Sequence, residues 1–556
     1  MRIRFDRFYD YAELTETLEA WAAEFPQLCR LESIGQSYEG REIWLVTVTS
    51  FETGPAEEKP ALLLEAQIHG EELTATTAAL HLLDRLLHDF GTDETVTRAL
   101  ETRSFYVVPR LSPDGAEVAL AGKYVRSSVR PYPLAEPEDG FHMEDVDGDG
   151  RILMMRMRDE NGAWEAHPED PRLLVPREPT AEGGEYYRVL YEGMVHNWDG
   201  ATIPIAHPLY GLDLNRNWPG TWKPENEQFG AGSYPASEPE TRAIVQAIAE
   251  RPNICGYIAY HTMSGVHLRP FNARPDDDLP TRDLVAYERI GREATRITGY
   301  PAVSMYHDFR YDPKKDITGG SDEWMYDTLG VFAWVTEFWS PLRMAGITDF
   351  ELIGWFKDPP LDEQLALLRY ADSVGGYADW YPFEHPQLGP VELGGWDDVH
   401  FFANPPFSLL EEEVTPHAEF ALFHALISPL LSIRTFERTP IAGGAHRLEL
   451  VVENTGWLPT HVTQQAMEKK GVRPVEIELE LPDGARIVTG KPREEIGQLE
   501  GRSKERSLYW WGDDRSTSER ARREWVVEAP EGARIRVVVR HERAGTARAE
   551  LTIPAH

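Results

Sequence analysis

A largely apolar segment that leads directly into a helical pattern is the feature that most restricts how this chain can fold. Residues 61–68, Ala-Leu-Leu-Leu-Glu-Ala-Gln-Ile, predict a buried strand, and helical spacing of apolar residues begins near Leu73. His69 and Glu72 lie between the two, where the strand ends. A strand followed at once by a helix is the repeating unit of an α/β sheet, so this junction predicts that fold class.

The same alternation recurs along the first two thirds of the chain. Patterns predict a helix at residues 11–25 and strands at 42–50, 104–109, 254–260 and 331–336, with helices between them. We therefore predict an α/β fold with a mixed central β-sheet and helices on both of its faces.

Two other regions differ from this pattern. Residues 131–210 are rich in Pro and Gly without a clean period, which predicts a long ordered insertion. Beyond about Ser432 the sequence alternates apolar and polar residues, as at residues 475–481, which predicts an antiparallel β-sandwich. We expect one domain at 1–430, containing the insertion, and an accessory sandwich domain at 431–556. The aromatic run Tyr509-Trp510-Trp511 is expected to pack inside that sandwich, with a sugar- or peptide-binding platform as the alternative.

Composition excludes several classes of partner and site. The formal net charge of −37 disfavours nucleic acid and anionic membranes, because the surface would repel both. The two cysteines, Cys29 and Cys255, are too few for a disulfide framework or a cysteine-based zinc site. No apolar leader and no membrane-length apolar run is evident, so the expected location is the cytoplasm.

Three candidate functional residues stand at predicted strand ends. His69, His261 and Glu337 each follow a strand of the predicted sheet. Since the carboxyl ends of strands in an open α/β sheet line the ligand crevice, these side chains can meet in space. His69, Glu72 and His261 would together supply the three protein ligands of a catalytic zinc ion. The His-x-x-Glu spacing alone is weak evidence, because chance yields roughly three such pairs in a chain this acidic.

Further motifs in the same order strengthen the prediction. Ser112-Pro-Asp-Gly115, Asp213-Leu-Asn-Arg-Asn-Trp218, Gly319-Gly-Ser321 and Thr336-Glu337 accompany the histidines. Over roughly residues 8–375 the chain resembles the zinc metallocarboxypeptidases of the carboxypeptidase A and T type. The resemblance implies zinc on His69, Glu72 and His261, with Glu337 as the general base.

The resemblance also implies roles for residues that bind the substrate. Arg126 is the best match to the arginine that stabilises the oxyanion, and Arg130 is close enough in sequence to compete. Asn215 and Arg216 match the pair that holds the terminal carboxylate of the substrate. Asp213 matches a partner of the first zinc histidine that would determine its tautomer.

Two positions depart from the family pattern. Lys315 stands where the family has a mobile tyrosine, and Tyr311 or Tyr306 are the candidates to replace it. Asp322 occupies the position that resembles the floor of the specificity pocket. By charge complementarity, Asp322 predicts a preference for peptides that end in Lys or Arg.

A second candidate metal loop lies within the insertion. Asp145, Asp147 and Asp149, followed by Gly150, resemble the first half of an EF-hand loop and suggest calcium. Arg156 stands where the bidentate glutamate should be, which excludes a complete EF-hand. Asp159 or Glu160 could close the site instead, and an acidic turn facing water is the alternative.

The expected function is zinc-dependent release of C-terminal residues from peptides with a free carboxylate. A cell-wall peptide or amide hydrolase on the same scaffold is the nearest alternative. A non-catalytic peptide-binding module is the alternative from another class.

Overall fold

The chain forms a mixed eight-stranded central sheet. The computed structural model describes residues 2–134, 136–312, 314–348 and 352–554. In spatial order the strands of this sheet are Cys29–Gln36, Glu42–Val48, Ser104–Val108, Ala61–Ala66, Ile254–Thr262, Phe332–Phe338, Val266–Arg269 and Ala302–Ser304. The four central strands run parallel to one another, whereas both flanks contain antiparallel pairs. The predicted mixed sheet is confirmed.

Amphipathic helices cover this sheet. Leu73–His88 begins directly after the His69 junction, as predicted, and its buried leucines and alanines face the parallel strands. It packs with Phe407–Leu426, which in turn contacts Thr281–Thr298. The other α-helices of the region up to residue 430 are Tyr11–Glu24, Glu94–Thr102, Pro113–Leu120, Pro239–Ala249, Met305–Asp308, Ser321–Glu323, Pro341–Met344, Leu352–Lys357 and Leu361–Val374.

The insertion contains more regular structure than its sequence indicates. Its strands are Gly140–Met143, Met154–Arg158, Trp164–Ala166, Leu174–Pro176, Tyr186–Tyr191 and Gly193–His196. Four of them join Tyr377–His385 and Gly389–Trp396 in a second, six-stranded sheet. Arg156 is part of this pairing, because its guanidinium donates to Glu392 on the neighbouring strand at 2.8 Å.

The C-terminal region is made of two four-stranded antiparallel sheets. One has the order Leu431–Pro440, Ala445–Asn454, Arg520–Glu528, Arg486–Thr489, and the other Arg493–Glu495, Glu476–Glu480, Arg534–His541, Gly545–Thr552. Alternate residues such as Leu450 and Trp525 from one sheet, and Leu479 and Val537 from the other, are buried in one shared apolar core. This is the sandwich that the alternating pattern predicts.

The prediction for the aromatic run in this region is wrong. Tyr509 and Trp511 are 90% and 88% exposed, and the rings of Trp510 and Trp511 stack on each other at 5.3 Å instead of entering the core. They lie in an irregular segment between Arg502–Lys504 and the strand Arg520–Glu528. Because the segment forms no strand, its side chains do not alternate into the sandwich.

The sandwich packs against the end of the central sheet where the parallel strands begin. The buried guanidinium of Arg543 donates to the carbonyls of Leu329 and Gly330, which precede the strand Phe332–Phe338. The Sγ atom of Cys255, near the start of Ile254–Thr262, donates to the carbonyl of Arg543 at 2.9 Å. The sandwich therefore lies at the opposite end of these strands from His261 and Glu337. Among the described residues, no helix has both the length and the hydropathy that a membrane crossing requires.

Candidate functional site

Three adjacent parallel strands bring the predicted site residues together. Tyr260 pairs with Ala66 on one neighbouring strand, and His261 pairs with Glu337 on the other. These strands run in the same direction and end at the same edge of the sheet. His69, His261 and Glu337 therefore come next to one another at that edge. The argument from strand ends is therefore consistent with the observed topology.

Residues before His69 hold the junction in an unusual backbone conformation. Gln67 has φ 53°, in the left-handed region, and is fully buried. Its side-chain Nε2 donates to the carbonyl of Gly70 at 3.0 Å, and its side-chain Oε1 accepts from Arg110 Nε at 2.9 Å. These bonds stabilise a conformation that non-glycine residues rarely adopt.

His69, Glu72 and His261 form one buried donor cluster. The Nδ1 atoms of the two imidazoles are 3.3 Å apart, and Glu72 Oε1 and Oε2 lie 2.6 Å from His69 Nδ1 and 3.0 Å from His261 Nδ1. All three side chains offer donor atoms within 4.8 Å of one another. A tetrahedral ion with ligand bonds of about 2.0–2.1 Å would hold its donors roughly 3.3 Å apart, so the set fits zinc in both chemistry and spacing.

The charges of this cluster are mutually dependent. Burial disfavours the charged form of each group, but the Glu72 carboxylate outweighs it and raises the pKa of His261 to about 9. Burial also acts to raise the pKa of Glu72, but the neighbouring imidazoles of His69 and His261 lower it below its ordinary value. A buried carboxylate that faces two imidazoles is stabilised by positive charge, which a divalent cation would supply.

Asp213 links the first histidine to Arg126. Its Oδ1 lies 3.1 Å from His69 Nε2 and accepts the backbone N–H of Asn215 at 2.8 Å, while its Oδ2 accepts Arg126 Nε at 3.3 Å. Burial opposes ionisation, but Arg216, His69 and Arg126 lower the pKa of Asp213 well below its ordinary value. An ionised Asp213 would leave Nδ1 of His69 free to face the cluster, which is the geometry that its predicted role requires.

A glycine turn supports Asn215 and Arg216. The side-chain oxygen of Asn215 accepts the N–H of Ser321 at 3.0 Å. Gly319 has φ 71°, and a Cβ on it would lie 2.2 Å from the carbonyl oxygen of Arg216. Glycine is required at this position because both the backbone angle and the close contact exclude a side chain.

These residues line a cavity of about 180 Å³. Its walls include the three members of the donor cluster and the predicted substrate residues, which are Arg126, Asn215, Arg216, Asp322 and Glu337. Apolar side chains, among them Met305, Phe309 and Ile317, complete the walls. The structure thus gathers all the sequence-predicted zinc, catalytic and substrate-binding residues around one space.

Asp322 is a buried residue of the cavity wall. It is 1% exposed, its Oδ1 accepts Asn272 Nδ2 at 2.9 Å, and its Oδ2 has no hydrogen-bond partner among the described residues. Burial raises the pKa of its carboxyl. Asn272 was not identified from the sequence, because an asparagine in an irregular segment carries no local signal of a role in a site fifty residues away.

Glu337 is buried beside the donor cluster. Burial raises its pKa to about 7, although the positive charge of His261 acts in the opposite direction. A carboxyl that exchanges its proton near neutral pH is suited to general acid–base chemistry.

The structure separates the two arginine candidates. Arg130 forms a paired contact with the buried carboxylate of Glu238, at 2.8 and 2.7 Å, whereas Arg126 borders the cavity. Arg126 also donates to Glu71 at 2.9 Å, a contact that the sequence did not indicate. Of the tyrosine candidates, Tyr311 lines the cavity, whereas Tyr306 contacts His307 and Arg310. Lys315 is exposed.

The aspartate loop of the insertion lies outside this site. Asp145 accepts the N–H groups of Gly148 and Gly150, Asp147 accepts the hydroxyl of Tyr381, and Asp149 pairs with Arg151. The three carboxylates do lie close enough to share an ion. Asp159, a candidate fourth ligand, pairs instead with Arg188. These contacts are those of an acidic turn, and they do not support a bound calcium ion.

Two histidines and a glutamate gathered at the carboxyl edge of a mixed α/β sheet, beside a further buried glutamate, are the donor set of a zinc hydrolase. The model of the zinc carboxypeptidase family matches residues 14–350, more than half of the 556-residue chain. The chain therefore belongs to the zinc carboxypeptidase family, which places it among the metal-dependent peptidases. A second model, for a domain of unknown function, matches residues 430–552.

Individual relatives are distant. Carboxypeptidase B of Astacus astacus is 23% identical over 58% of this chain and 83% of its own length. Carboxypeptidase A2 of Mus musculus is 24% identical over 59% of this chain and 61% of its own length, and carboxypeptidase D of Homo sapiens is 30% identical over 44% and 18%. Among solved structures, carboxypeptidase A of Helicoverpa armigera has a TM-score of 0.40 at 17% identity, covering 67% of this chain and 74% of that chain.

Proposed function

We propose that this protein is a zinc-dependent carboxypeptidase that releases C-terminal residues from peptides, with a preference for Lys and Arg. The observation that carries the proposal is the shared cavity. A metal donor set, a buried glutamate, a carboxylate-binding pair and a buried aspartate all face a space of about 180 Å³. A terminal residue with its carboxylate and side chain fills such a space.

His69, Glu72 and His261 would hold the ion. Bound zinc would supply Lewis acidity, which lowers the pKa of water and polarises the scissile carbonyl. Glu337 would accept a proton from the attacking water and return it to the amine of the leaving residue, as its pKa of about 7 allows. Arg126 would stabilise the negative charge that develops on the carbonyl oxygen.

Substrate position follows from the other residues of the cavity. The Arg216 guanidinium can bind a carboxylate through two parallel hydrogen bonds, with Asn215 beside it. The unpartnered Oδ2 of Asp322 would then accept the cationic end of a lysine or arginine side chain. Tyr311 is the candidate for the role that the family assigns to a mobile tyrosine.

The two-domain division at about residue 430 is part of the proposal. Contacts such as those of Arg543 join the sandwich to the starts of the parallel strands, far from the donor cluster along those strands. We therefore assign the sandwich a supporting role and no contact with the substrate. Peptides are the proposed partners. The net charge of −37 argues against nucleic acid, and a cytoplasmic location stays a prediction.

Metal analysis combined with a panel of peptides tests the proposal. Wild type is expected to bind about one zinc ion, and to release Lys and Arg faster than Phe or Leu. Glu337→Gln should retain zinc and lose turnover by roughly a thousandfold or more, because the proton acceptor is removed while the ligands stay. Retained hydrolysis by this variant would refute the role of Glu337.

The same panel separates the alternatives. Each peptide is compared as the free acid and as the C-terminal amide. A carboxypeptidase that uses Arg216 cleaves the free acid far faster, whereas an amide or cell-wall peptide hydrolase cleaves substrates without that carboxylate. A binding module would bind the free acid and cleave neither form.

A further inference from the structure

We propose that a second, larger cavity beside the site binds apolar or aromatic residues of the peptide upstream of the scissile bond. This upstream chamber, as we call it, has a volume of about 730 Å³ and lies between the insertion and residues 355–403. The inference rests on the proposed carboxypeptidase function. It adds a substrate class that the catalytic residues themselves do not specify.

The chamber is continuous with the catalytic cavity. Arg126, Thr262, Met263 and Phe356 line both spaces. In contrast, the residues proposed to bind the terminal carboxylate and side chain, Asn215, Arg216 and Asp322, belong to the smaller cavity.

This division determines the direction of a bound peptide. With its terminal residue held at Arg216 and its scissile carbonyl near Arg126, the peptide must continue away from Arg216 and past Arg126. The shared wall places the chamber on that path. The occupant is therefore the segment of substrate that precedes the scissile bond.

One wall of the chamber is a connected group of aromatic rings. Phe356 contacts Trp355 at 5.3 Å and Phe402 at 6.0 Å, and Phe402 contacts Trp396 at 5.5 Å between ring centroids. Met143, Ile152 and Met154 form part of the wall that the insertion contributes. Apolar and aromatic walls of this kind favour apolar side chains over charged ones.

Several charged groups of the chamber have partners close by. Asp397 faces the imidazole of His400 at 3.3 Å, and the Arg151 guanidinium is held by Asp149 at 2.6 Å. Because these charges are compensated locally, they offer little selectivity for a charged substrate residue. Lys123 and Asp398 also border the chamber, but most of its remaining lining residues are aromatic or aliphatic, which indicates an apolar occupant.

The size of the chamber is consistent with a short peptide segment. Its volume lies within the roughly 300–1,000 Å³ that is usual for ligand sites. Its aromatic wall, residues 355–402, lies beyond residue 350, where the match to the family model ends. The chamber is therefore a feature of this chain and not of the matched family region alone.

A phenylalanine scan tests the inference. The peptides Ac-Gly-Gly-Gly-Arg, Ac-Phe-Gly-Gly-Arg, Ac-Gly-Phe-Gly-Arg and Ac-Gly-Gly-Phe-Arg are compared by kcat/KM on the zinc-loaded wild type. Phenylalanine in at least one position should raise kcat/KM by about tenfold, the effect of burying one aromatic side chain. A gain below threefold in every position would overturn the proposal.

Two variants locate the effect in the chamber. Met154→Lys and Ile152→Lys place a charge in the apolar wall and should reduce the phenylalanine gain below threefold, while kcat/KM for the all-glycine peptide stays within twofold of wild type. Met467→Lys is the matched control, because Met467 is half exposed on the remote helix Gln464–Glu468 and should leave the gain unchanged. Thermal unfolding checks that each variant is folded. A gain that persists in either folded chamber variant refutes the assignment.

A binding measurement separates this proposal from the proposed function. Isothermal titration of the zinc-loaded Glu337→Gln variant with the best phenylalanine peptide and with the all-glycine peptide should show about tenfold tighter binding of the former. If no peptide is cleaved by wild type, the carboxypeptidase function fails, but the titration still decides the chamber. Equal affinities would overturn it whether or not hydrolysis occurs.

Discussion

Replacement of Asp322 by asparagine is the perturbation that tests the specificity site most directly. Asparagine keeps the size of the side chain and can still accept the hydrogen bond from Asn272, which is 2.9 Å long in the wild type. Only the charge at the unpartnered Oδ2 is lost. The substitution therefore separates electrostatic recognition from packing.

The magnitude follows from burial. Asp322 is 1% exposed, so an ion pair with a substrate cation would be largely desolvated. Removing one partner of such a pair costs about 2–5 kcal/mol, which corresponds to a fall of roughly 30-fold to 5,000-fold in kcat/KM. This fall is expected for peptides that end in Arg or Lys, whereas peptides that end in Phe or Leu should change by less than about threefold on the same principle.

The pH dependence has a defined sign. Burial raises the pKa of Asp322, so its charged fraction falls as pH decreases through that raised value. The ratio of kcat/KM for arginine to that for phenylalanine peptides should therefore fall at acid pH in wild type and stay flat in Asp322→Asn. Glu337 affects both substrates equally and cancels in this ratio.

Stability provides the control for this variant. A carboxyl whose pKa is raised by folding stabilises the protein only at low pH, and this contribution is lost as pH rises through the folded value. Asp322→Asn should thus be at least as stable as wild type at pH 7.5 in thermal unfolding. An equal loss of kcat/KM for arginine and phenylalanine peptides, in a protein of unchanged stability, would refute electrostatic recognition by Asp322.

Three other predictions concern the metal, the interface and pH. Dialysis against a chelator should abolish turnover and zinc should restore it; activity that survives proven metal removal would contradict a metal role for His69, Glu72 and His261. Gly330→Ala should lower the melting temperature by several degrees, because Gly330 has φ 63° and a Cβ on it would lie 2.5 Å from Ala466. An unchanged unfolding curve would show that this contact is not tight. Burial raises the pKa of Glu323 to about 8. The contribution of this group to wild-type stability should therefore fall between pH 4.5 and 8, by up to about 1.4 kcal/mol per pH unit. Thermal unfolding of Glu323→Gln should show a shallower decline over the same range.

The residues that stand at the strand ends could be predicted from local sequence. The run at residues 61–68 and the helix after it correctly identified a strand, Ala61–Ala66, and a helix, Leu73–His88. Since strand ends of a parallel sheet share one edge, the positions of His69, His261 and Glu337 followed from these elements without knowledge of any long-range contact.

The second sheet could not be predicted in the same way. Its strands in the insertion are three to six residues long, and Met154–Arg158 pairs with Gly389–Trp396, more than two hundred residues away. Short segments of this kind have no period of their own, and their stability comes from partners that the local sequence does not reveal. Residues 389–396, although rich in Gly, are likewise a strand of this sheet.

The choice between chemically equivalent candidates also needed the tertiary structure. Arg126 and Arg130 are four residues apart and equally basic, but only Glu238, over a hundred residues from Arg130, removes the latter from consideration. Asn272 beside Asp322 had no sequence signal. The sequence by itself determined which residues stand at the strand ends, because periodicity and strand ends are local. Only the folded chain decided which side chains share a cavity and what walls it has, because those contacts depend on long-range packing.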